Sequence, residues 1–163
     1  MRHALAASLV LLLAACGFQL RGETSLPFET LYVPGATSGI ALDLKRHLQS
    51  GSGTRVVDDP KAAQAQLQFT EETRGKDILA LNAAGRVREY RLRYRVSFRV
   101  ADGKGGEYLP TSTITLAREI TYDESVALAK ETEEQLLFRD MQADMVQQIL
   151  RRIATARTPA KAN

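Results

Sequence analysis

The residue types that carry out nucleophilic or metal chemistry are scarce in this chain. It contains one cysteine, Cys16, and two histidines, His3 and His47. His3 lies in a segment that we expect to be removed, so cysteine and histidine cannot supply the three or four ligands of a zinc site. A Ser-His-acid site would have to use His47. That residue lies in LKRHLQS on a predicted helix, where a position on the surface is the simpler interpretation.

Three adjacent acidic pairs are the remaining candidates for acid–base catalysis: Asp58-Asp59, Glu71-Glu72 and Glu133-Glu134. Two carboxylates that share a catalytic site must point to the same place. Adjacent residues point to opposite faces of a strand and diverge by about 100° on a helix. We therefore interpret these pairs as solvated charges, and we expect neither an enzyme activity nor a metal or cofactor.

The first sixteen residues have the pattern of a lipoprotein signal. Met1-Arg2-His3 is basic, and the apolar run Ala4–Ala15 is shorter than the about 20 residues of a membrane span. Leu13-Ala14-Ala15-Cys16 matches the bacterial lipobox, in which the signal is cleaved before the cysteine and the thiol is acylated. If the segment were an ordinary signal peptide or a buried strand, its position, its small residues and its cysteine would match the lipobox only by chance. We predict a signal peptide at 1–15 and a lipid anchor, with palmitate-type chains, at Cys16.

The composition fits one anchored domain. Removal of residues 1–15 leaves 163 − 15 = 148 residues, with 22 − 1 = 21 basic and 19 acidic side chains. A net charge of +2 is too small to indicate nucleic-acid binding. Gly17, rather than aspartate, after the cysteine favours sorting to the outer membrane. We predict a tether over residues 16–28, a single domain over 29–156 and a disordered tail over 157–163.

The first half of the domain reads as short elements followed by a long extended run. A strand in TLYVPG (30–35), a helix over 38–51 and a strand in TRVVDD (54–59) predict a parallel crossover. AQLQFTEETR and DILAL form the extended run, with a bulge or bend expected at Gly75. NAAG, residues 82–85, predicts a hairpin loop with its glycine in the left-handed conformation.

The second half contains the clearest strand, RVREYRLRYRVSFRV. From Tyr90 to Val100 its even positions are apolar or aromatic, so one face must be buried. The other face carries four arginines: Arg91, Arg93, Arg95 and Arg99. The returning strand is predicted over Tyr108–Tyr122. A long amphipathic helix follows from near Ser125 to about Ala156, about 45 Å long and able to overhang a small sheet.

These elements predict an α/β fold. Two helices pack on one face of a mixed, mostly antiparallel sheet of four to five strands, as a two-layer sandwich. The arginines then lie on the open face, for which two interpretations stand. Glu119 and Glu72 could pair with Arg91 and Arg95 across the sheet, for roughly 0.2–1 kcal/mol per pair. Alternatively, the face meets a polar partner wall or anionic groups, which arginine binds bidentately.

A second cluster of cations is predicted at one end of the sheet. If 86–100 and 108–122 are hairpin partners, the start of the long helix lies beside the NAAG loop, which gathers Arg86, Arg88 and Lys130 there. Such a cluster suits a phosphorylated lipid headgroup, and it equally suits a solvated rim.

Three stretches resemble the LPS-assembly lipoprotein family LptE. They are CGFQLRG after the lipobox, GRVREYRLRYRVSFRV with the family's G-x-x-x-EY-x-L pattern, and REITYDESVALAKETEEQLLFRDMQADMVQQILRRI. The resemblance covers essentially the whole mature chain. It implies an outer-membrane lipoprotein that plugs and helps assemble the β-barrel LptD and assists lipopolysaccharide (LPS) transport to the outer leaflet.

The same resemblance bears on single residues. Lys130, in ALAKETE, stands where the family carries a lysine implicated in LPS contact. The hairpin tip LNAAGR lacks a basic residue before its glycine, so we expect Arg86 or Arg88 to substitute. The alternative reading is an outer-membrane lipoprotein that binds another ligand, phospholipid or peptidoglycan, without a barrel partner.

Overall fold

The alternating pattern of the long strands sets the architecture. The computed structural model describes residues 26–157. Its strands are β1 (Thr30–Tyr32), β2 (Arg55–Val57), β3 (Ala65–Leu81), β4 (Val87–Ala101) and β5 (Glu107–Thr121), and its helices are α1 (Gly39–Gly51) and α2 (Ala127–Ala154). The predicted signal peptide, Cys16 and nearly all of the predicted tail lie outside the described residues.

The five strands form one mixed sheet in the order β2-β1-β3-β4-β5. The crossover through α1 makes β1 and β2 parallel neighbours, as predicted, and β1 also pairs in parallel with the start of β3. The two long hairpins β3–β4 and β4–β5 are antiparallel. The predicted fold class, a mixed and mostly antiparallel sheet with two helices, is confirmed.

The core lies between the helices and one face of the sheet. On β4 the fully buried side chains alternate, because successive residues of a strand point to opposite faces: they are Leu92, Tyr94, Val96, Phe98 and Val100. On α2 they recur every four residues from Met141 to Ile153. Each such side chain contributes about 1.5–3 kcal/mol when it is fully buried. The buried stripe of α2 begins at Met141, so its N-terminal half is largely exposed.

The long helix does not overhang the sheet. It starts at Ala127, after a 3₁₀ turn whose N-cap, Asp123, accepts a hydrogen bond from the Ser125 amide at 2.9 Å. Its 28 residues span about 42 Å. The 15 residues of β4 span about 50 Å. The two ends of the helix lie beside the two ends of β5, because Lys130 donates to Thr121 and the Arg157 amide, just after the helix, donates to the Tyr108 carbonyl at 3.0 Å. No helix within residues 26–157 is long and apolar enough to cross a membrane.

The expected bulge or bend at Gly75 is wrong. Gly75 pairs regularly with Arg93, and the register of β3 shifts instead between Phe69 and Glu71 and again between Ile78 and Leu81. The first shift inserts Thr70 as an extra residue. An inserted residue reverses which side chains point inward. Three polar residues of β3 therefore share the helix-covered face: Glu72, Arg74 and Lys76.

Candidate functional site

The β3–β4 loop, the end of β5 and the start of α2 together form one end of the molecule, which we call the distal tip. The loop is closed by its own hydrogen bonds. The side chain of Asn82 accepts from the amides of Ala84 and Arg86, both at 3.0 Å, and Gly85 has a φ of +75°. The predicted hairpin loop with a left-handed glycine is therefore present.

The distal tip holds all three of the predicted LPS-binding cations. The Tyr122 amide donates to the Arg88 carbonyl at 2.7 Å, which joins the end of β5 to the start of β4. The Arg86 guanidinium lies 3.7 Å from Glu124, and both side chains are about two-thirds exposed. The Lys130 ammonium donates to Thr121 at 3.1 Å and to Glu133 at 2.8 Å, and this side chain is only 18% exposed. The topological prediction is confirmed, and the role of these residues remains a prediction.

Acidic groups accompany two of these three cations. Arg86 forms an ion pair with Glu124, and Lys130 forms an ion pair with Glu133. The Arg88 side chain, in contrast, forms no ion pair within residues 26–157 and is exposed. Arg88 is therefore the cation of the distal tip that is most available to an external anion.

The distal tip also exposes large apolar side chains. Ile78 and Leu81 lie at the end of β3, Val126 directly precedes α2, and Leu128 lies in the first turn of α2. Their exposure runs from 49% to 77%, although most side chains of this type lie in the core. Exposed apolar residues beside cations can bind a molecule that carries both acyl chains and anionic groups.

Cation–π, ionic and aromatic contacts lie just inside the distal tip, and they were not predicted from the sequence. The Lys76 ammonium lies 4.3 Å from the centroid of the Tyr90 ring and 2.5 Å from a carboxylate oxygen of Glu134. Tyr90 in turn meets Tyr122 edge to face at 5.3 Å. These contacts attach the exposed half of α2 to the sheet. The sequence gives no signal for them, because Lys76 faces inward only as a result of the extra residue in β3.

The open face of the sheet, which we call the arginine face, is an ion-paired ladder. Each of its four arginines has a carboxylate partner at 2.7–3.3 Å: Arg91 with Glu119, Arg93 with Asp77, Arg95 with Glu71, and Arg99 with Glu107. The paired side chains are 40–61% exposed. The face predicted to be basic is therefore balanced in charge, with cations and anions side by side.

One of the two expected pairs is wrong. Glu119 pairs with Arg91 as predicted, but Arg95 pairs with Glu71 rather than with Glu72. The extra residue in β3 turns Glu72 to the helix-covered face, where it accepts a hydrogen bond from the Tyr94 hydroxyl at 2.6 Å. Burial, and then this hydrogen bond, raise the pKa of Tyr94 well above its usual value.

The other residues considered for catalysis lie apart. His47 is exposed on α1, with its ring Nδ1 2.9 Å from the carbonyl of Asp43. The members of each acidic pair contact different partners, as Glu133 and Glu134 do with Lys130 and Lys76. Within residues 26–157 no three histidine, cysteine or acidic residues are grouped so that they could hold a metal ion.

Fold and surfaces define a class of small two-layer α/β domain with a charge-paired open sheet and an amphipathic tip. Solved structures of this class exist. The solution NMR structure of an uncharacterized lipoprotein B from Nitrosomonas europaea superimposes with a TM-score of 0.72 at 39% identity, covering 85% of this chain and 90% of that one. The crystal structure of rare lipoprotein B from Shewanella oneidensis superimposes with a TM-score of 0.66 at 26% identity, covering 77% of this chain and 92% of that one.

Sequence comparison identifies the family. The family model "LptE: Lipopolysaccharide-assembly" matches residues 28–153, so the chain belongs to the LptE family. Proteins named "LPS-assembly lipoprotein LptE" from Photorhabdus laumondii subsp. laumondii and Yersinia enterocolitica are similar to it. The first is 25% identical over 156 residues, covering 93% of this chain and 84% of its own length. The second is 29% identical over 148 residues, covering 88% of this chain and 70% of its own length.

Proposed function

We propose that this chain is an outer-membrane lipoprotein, anchored through acyl chains on Cys16, that plugs and helps assemble an LptD-type β-barrel. In this role it assists LPS transport to the outer leaflet and binds LPS at the distal tip. Membership of the LptE family over residues 28–153 carries the assignment to LPS assembly. The lipobox supports the anchor. The arginine face supports the barrel partner, and the distal tip supports the LPS contact.

The arginine face supports a polar protein partner rather than a bound anion. The interior of a large transmembrane barrel is polar. A ladder of paired charges offers both donors and acceptors, and each guanidinium keeps N–H groups beyond those that bind its carboxylate. An anionic ligand would meet four carboxylates along with the four arginines. A polar wall is therefore the better match.

The distal tip supports contact with LPS. LPS combines phosphate groups with acyl chains, and the tip combines Arg86, Arg88 and Lys130 with exposed apolar residues at the end of β3 and the start of α2. Arginine and lysine bind phosphate through charge-assisted hydrogen bonds. The observation that carries this part of the proposal is the convergence of both kinds of group at one end of the sheet.

The test is LPS binding by the double variant Arg86→Glu/Lys130→Glu. Each reversal removes a charge-assisted contact of about 1.5–3 kcal/mol, so affinity for LPS should fall at least about tenfold. Circular dichroism should stay close to that of the wild type, because both side chains lie outside the core. The matched control is Arg139→Glu/Arg151→Glu, which makes the same change in charge on exposed residues of α2. Unchanged affinity in the double variant would reject a role of Arg86 and Lys130 in LPS binding.

A further inference from the structure

A cleft lies at the end of the sheet opposite the distal tip. Its volume is about 910 Å³, within the range of small-molecule sites. Four segments form its walls: the chain entry at 26–29, the loop at 53–54, the turn at 61–64, and the β4–β5 turn with Tyr108. No residue of the distal tip or the arginine face lines it, so the cleft is separate from both surfaces.

The cleft collects the unpaired lysines of the domain. Residues 26–157 contain five lysines, of which Lys45, Lys76 and Lys130 form ion pairs. The other two, Lys61 and Lys104, are exposed, line the cleft and form no ion pair within the described part of the chain. Because the remaining lysines are neutralised locally, these two ammonium groups are the ones available to a ligand.

Two carboxylates line the same cleft. Asp102 accepts hydrogen bonds from the amides of Lys104 at 2.7 Å and Gly106 at 2.8 Å. These bonds hold the pKa of Asp102 below its usual value, so the group is charged at neutral pH. Glu29 is exposed, and its carboxylate forms no ion pair within residues 26–157. The cleft thus offers two cations and two anions to one occupant.

The chain entry forms an apolar wall. Leu26, Pro27 and Phe28 line the cleft, and Phe28 meets Tyr108 edge to face with 5.2 Å between the ring centroids. The occupant should therefore have an apolar part beside its charged groups.

The position of the cleft indicates where that occupant comes from. Leu26 is ten residues after Cys16, and an extended chain spans at most about 3.6 Å per residue, or about 36 Å in all. An anchor at Cys16 therefore holds the cleft within about 36 Å of the membrane surface. The distal tip lies about 50 Å from the cleft, along the length of β4.

We propose that this cleft binds the headgroup of a zwitterionic phospholipid, of the phosphatidylethanolamine type, from the leaflet that holds the anchor. The phosphate lies at Lys61 and Lys104, the ammonium lies at Glu29 and Asp102, and the first acyl carbons lie along the apolar wall. The supply of this lipid rests on the proposed Cys16 anchor; the site itself is distinct from the proposed LPS and barrel contacts. An occupied cleft fixes which end of the domain faces the membrane.

The test is a titration of the mature, isotopically labelled lipoprotein in mild detergent with dihexanoyl-phosphatidylethanolamine. Saturable shifts of backbone amide resonances are expected at Gly53, Ala63 and Lys104 and not at the distal tip. Lys61→Glu/Lys104→Glu should weaken binding at least tenfold. The control Arg139→Glu/Arg151→Glu, with the same change in charge outside the cleft, should bind like the wild type. Dihexanoyl-phosphatidylglycerol, which lacks the ammonium, should bind several-fold more weakly.

Four results would overturn the proposal: no saturable shift, equal affinity for the two lipids, equal shifts with inorganic phosphate alone, or binding of a peptidoglycan fragment in place of phospholipid. The lipid is supplied in solution, so binding does not depend on the anchor or on a barrel. Failure of the proposed function would instead appear as a wild-type protein that is recovered without a barrel.

Discussion

At the scale of single residues, Tyr94 joins the core to a surface carboxylate. Its ring is fully buried and its hydroxyl donates to Glu72. Because its pKa is higher in the fold than the usual 10.0, the unfolded chain loses this proton first as the pH rises. The contribution of Tyr94 to the free energy of unfolding is therefore fully present below pH 10 and decreases as the pH rises above 10.

This linkage predicts the behaviour of Tyr94→Phe. Above pH 10 the wild type should lose up to about 1.4 kcal/mol of unfolding free energy per pH unit through this residue, and the variant should lack that part of the slope. Urea unfolding of both proteins at pH 8, 10 and 11 measures the difference. If the free energy of unfolding fell equally with pH in the two proteins, the Tyr94 hydroxyl would not be the cause of the loss of stability.

A second prediction separates the cations of the distal tip. Arg86 has Glu124 as a partner, whereas Arg88 forms no ion pair within residues 26–157. A free guanidinium gives up no internal contact when it binds an anion, so Arg88→Gln should weaken LPS binding more than Arg86→Gln, by about threefold or more. Titration of the two single variants with LPS makes the comparison. An equal or reversed order would contradict the assignment of Arg88 as the most available cation.

At the scale of elements, periodicity explains what could be predicted. The alternation in β4 and the four-residue repeat in α2 are long, so the buried face and the fold class follow from the sequence. The extra residue Thr70 in β3 has no such signature, because polar residues on either side of it fit both faces. The wrong partner for Arg95 and the missed Lys76–Tyr90 contact both follow from that single residue.

The β3–β4 loop offers a prediction at this scale. Gly85 has a φ of +75°, which costs about 1–2 kcal/mol for a residue with a Cβ. No atom lies within 4 Å of an added Cβ there, so the cost is conformational rather than steric. Gly85→Val should lower the thermal unfolding midpoint by several degrees, and Ala84→Val, at the neighbouring position, should lower it less. Equal shifts in the two variants would show that the left-handed conformation is not required.

At the scale of the whole molecule, the arginine face is the surface proposed to meet the barrel wall. Exchange of one pair, Arg93→Glu with Asp77→Lys, keeps opposite charges across the strands but reverses their order. Exposed pairs contribute about 0.2–1 kcal/mol, so unfolding free energy should change by less than about 1 kcal/mol. Recovery of the barrel with the variant should fall. Full recovery would show that the order of charges on this face does not matter to the partner.

Association with a barrel can be measured directly by a mild-detergent pull-down of the tagged, Cys16-intact protein from its native outer membranes. The eluate is run on gels with and without heating and stained for protein and LPS. A large, heat-modifiable β-barrel should be recovered in near-stoichiometric amount. Recovery of the protein alone, or with only phospholipid or peptidoglycan fragments, would contradict the proposal that it plugs a barrel.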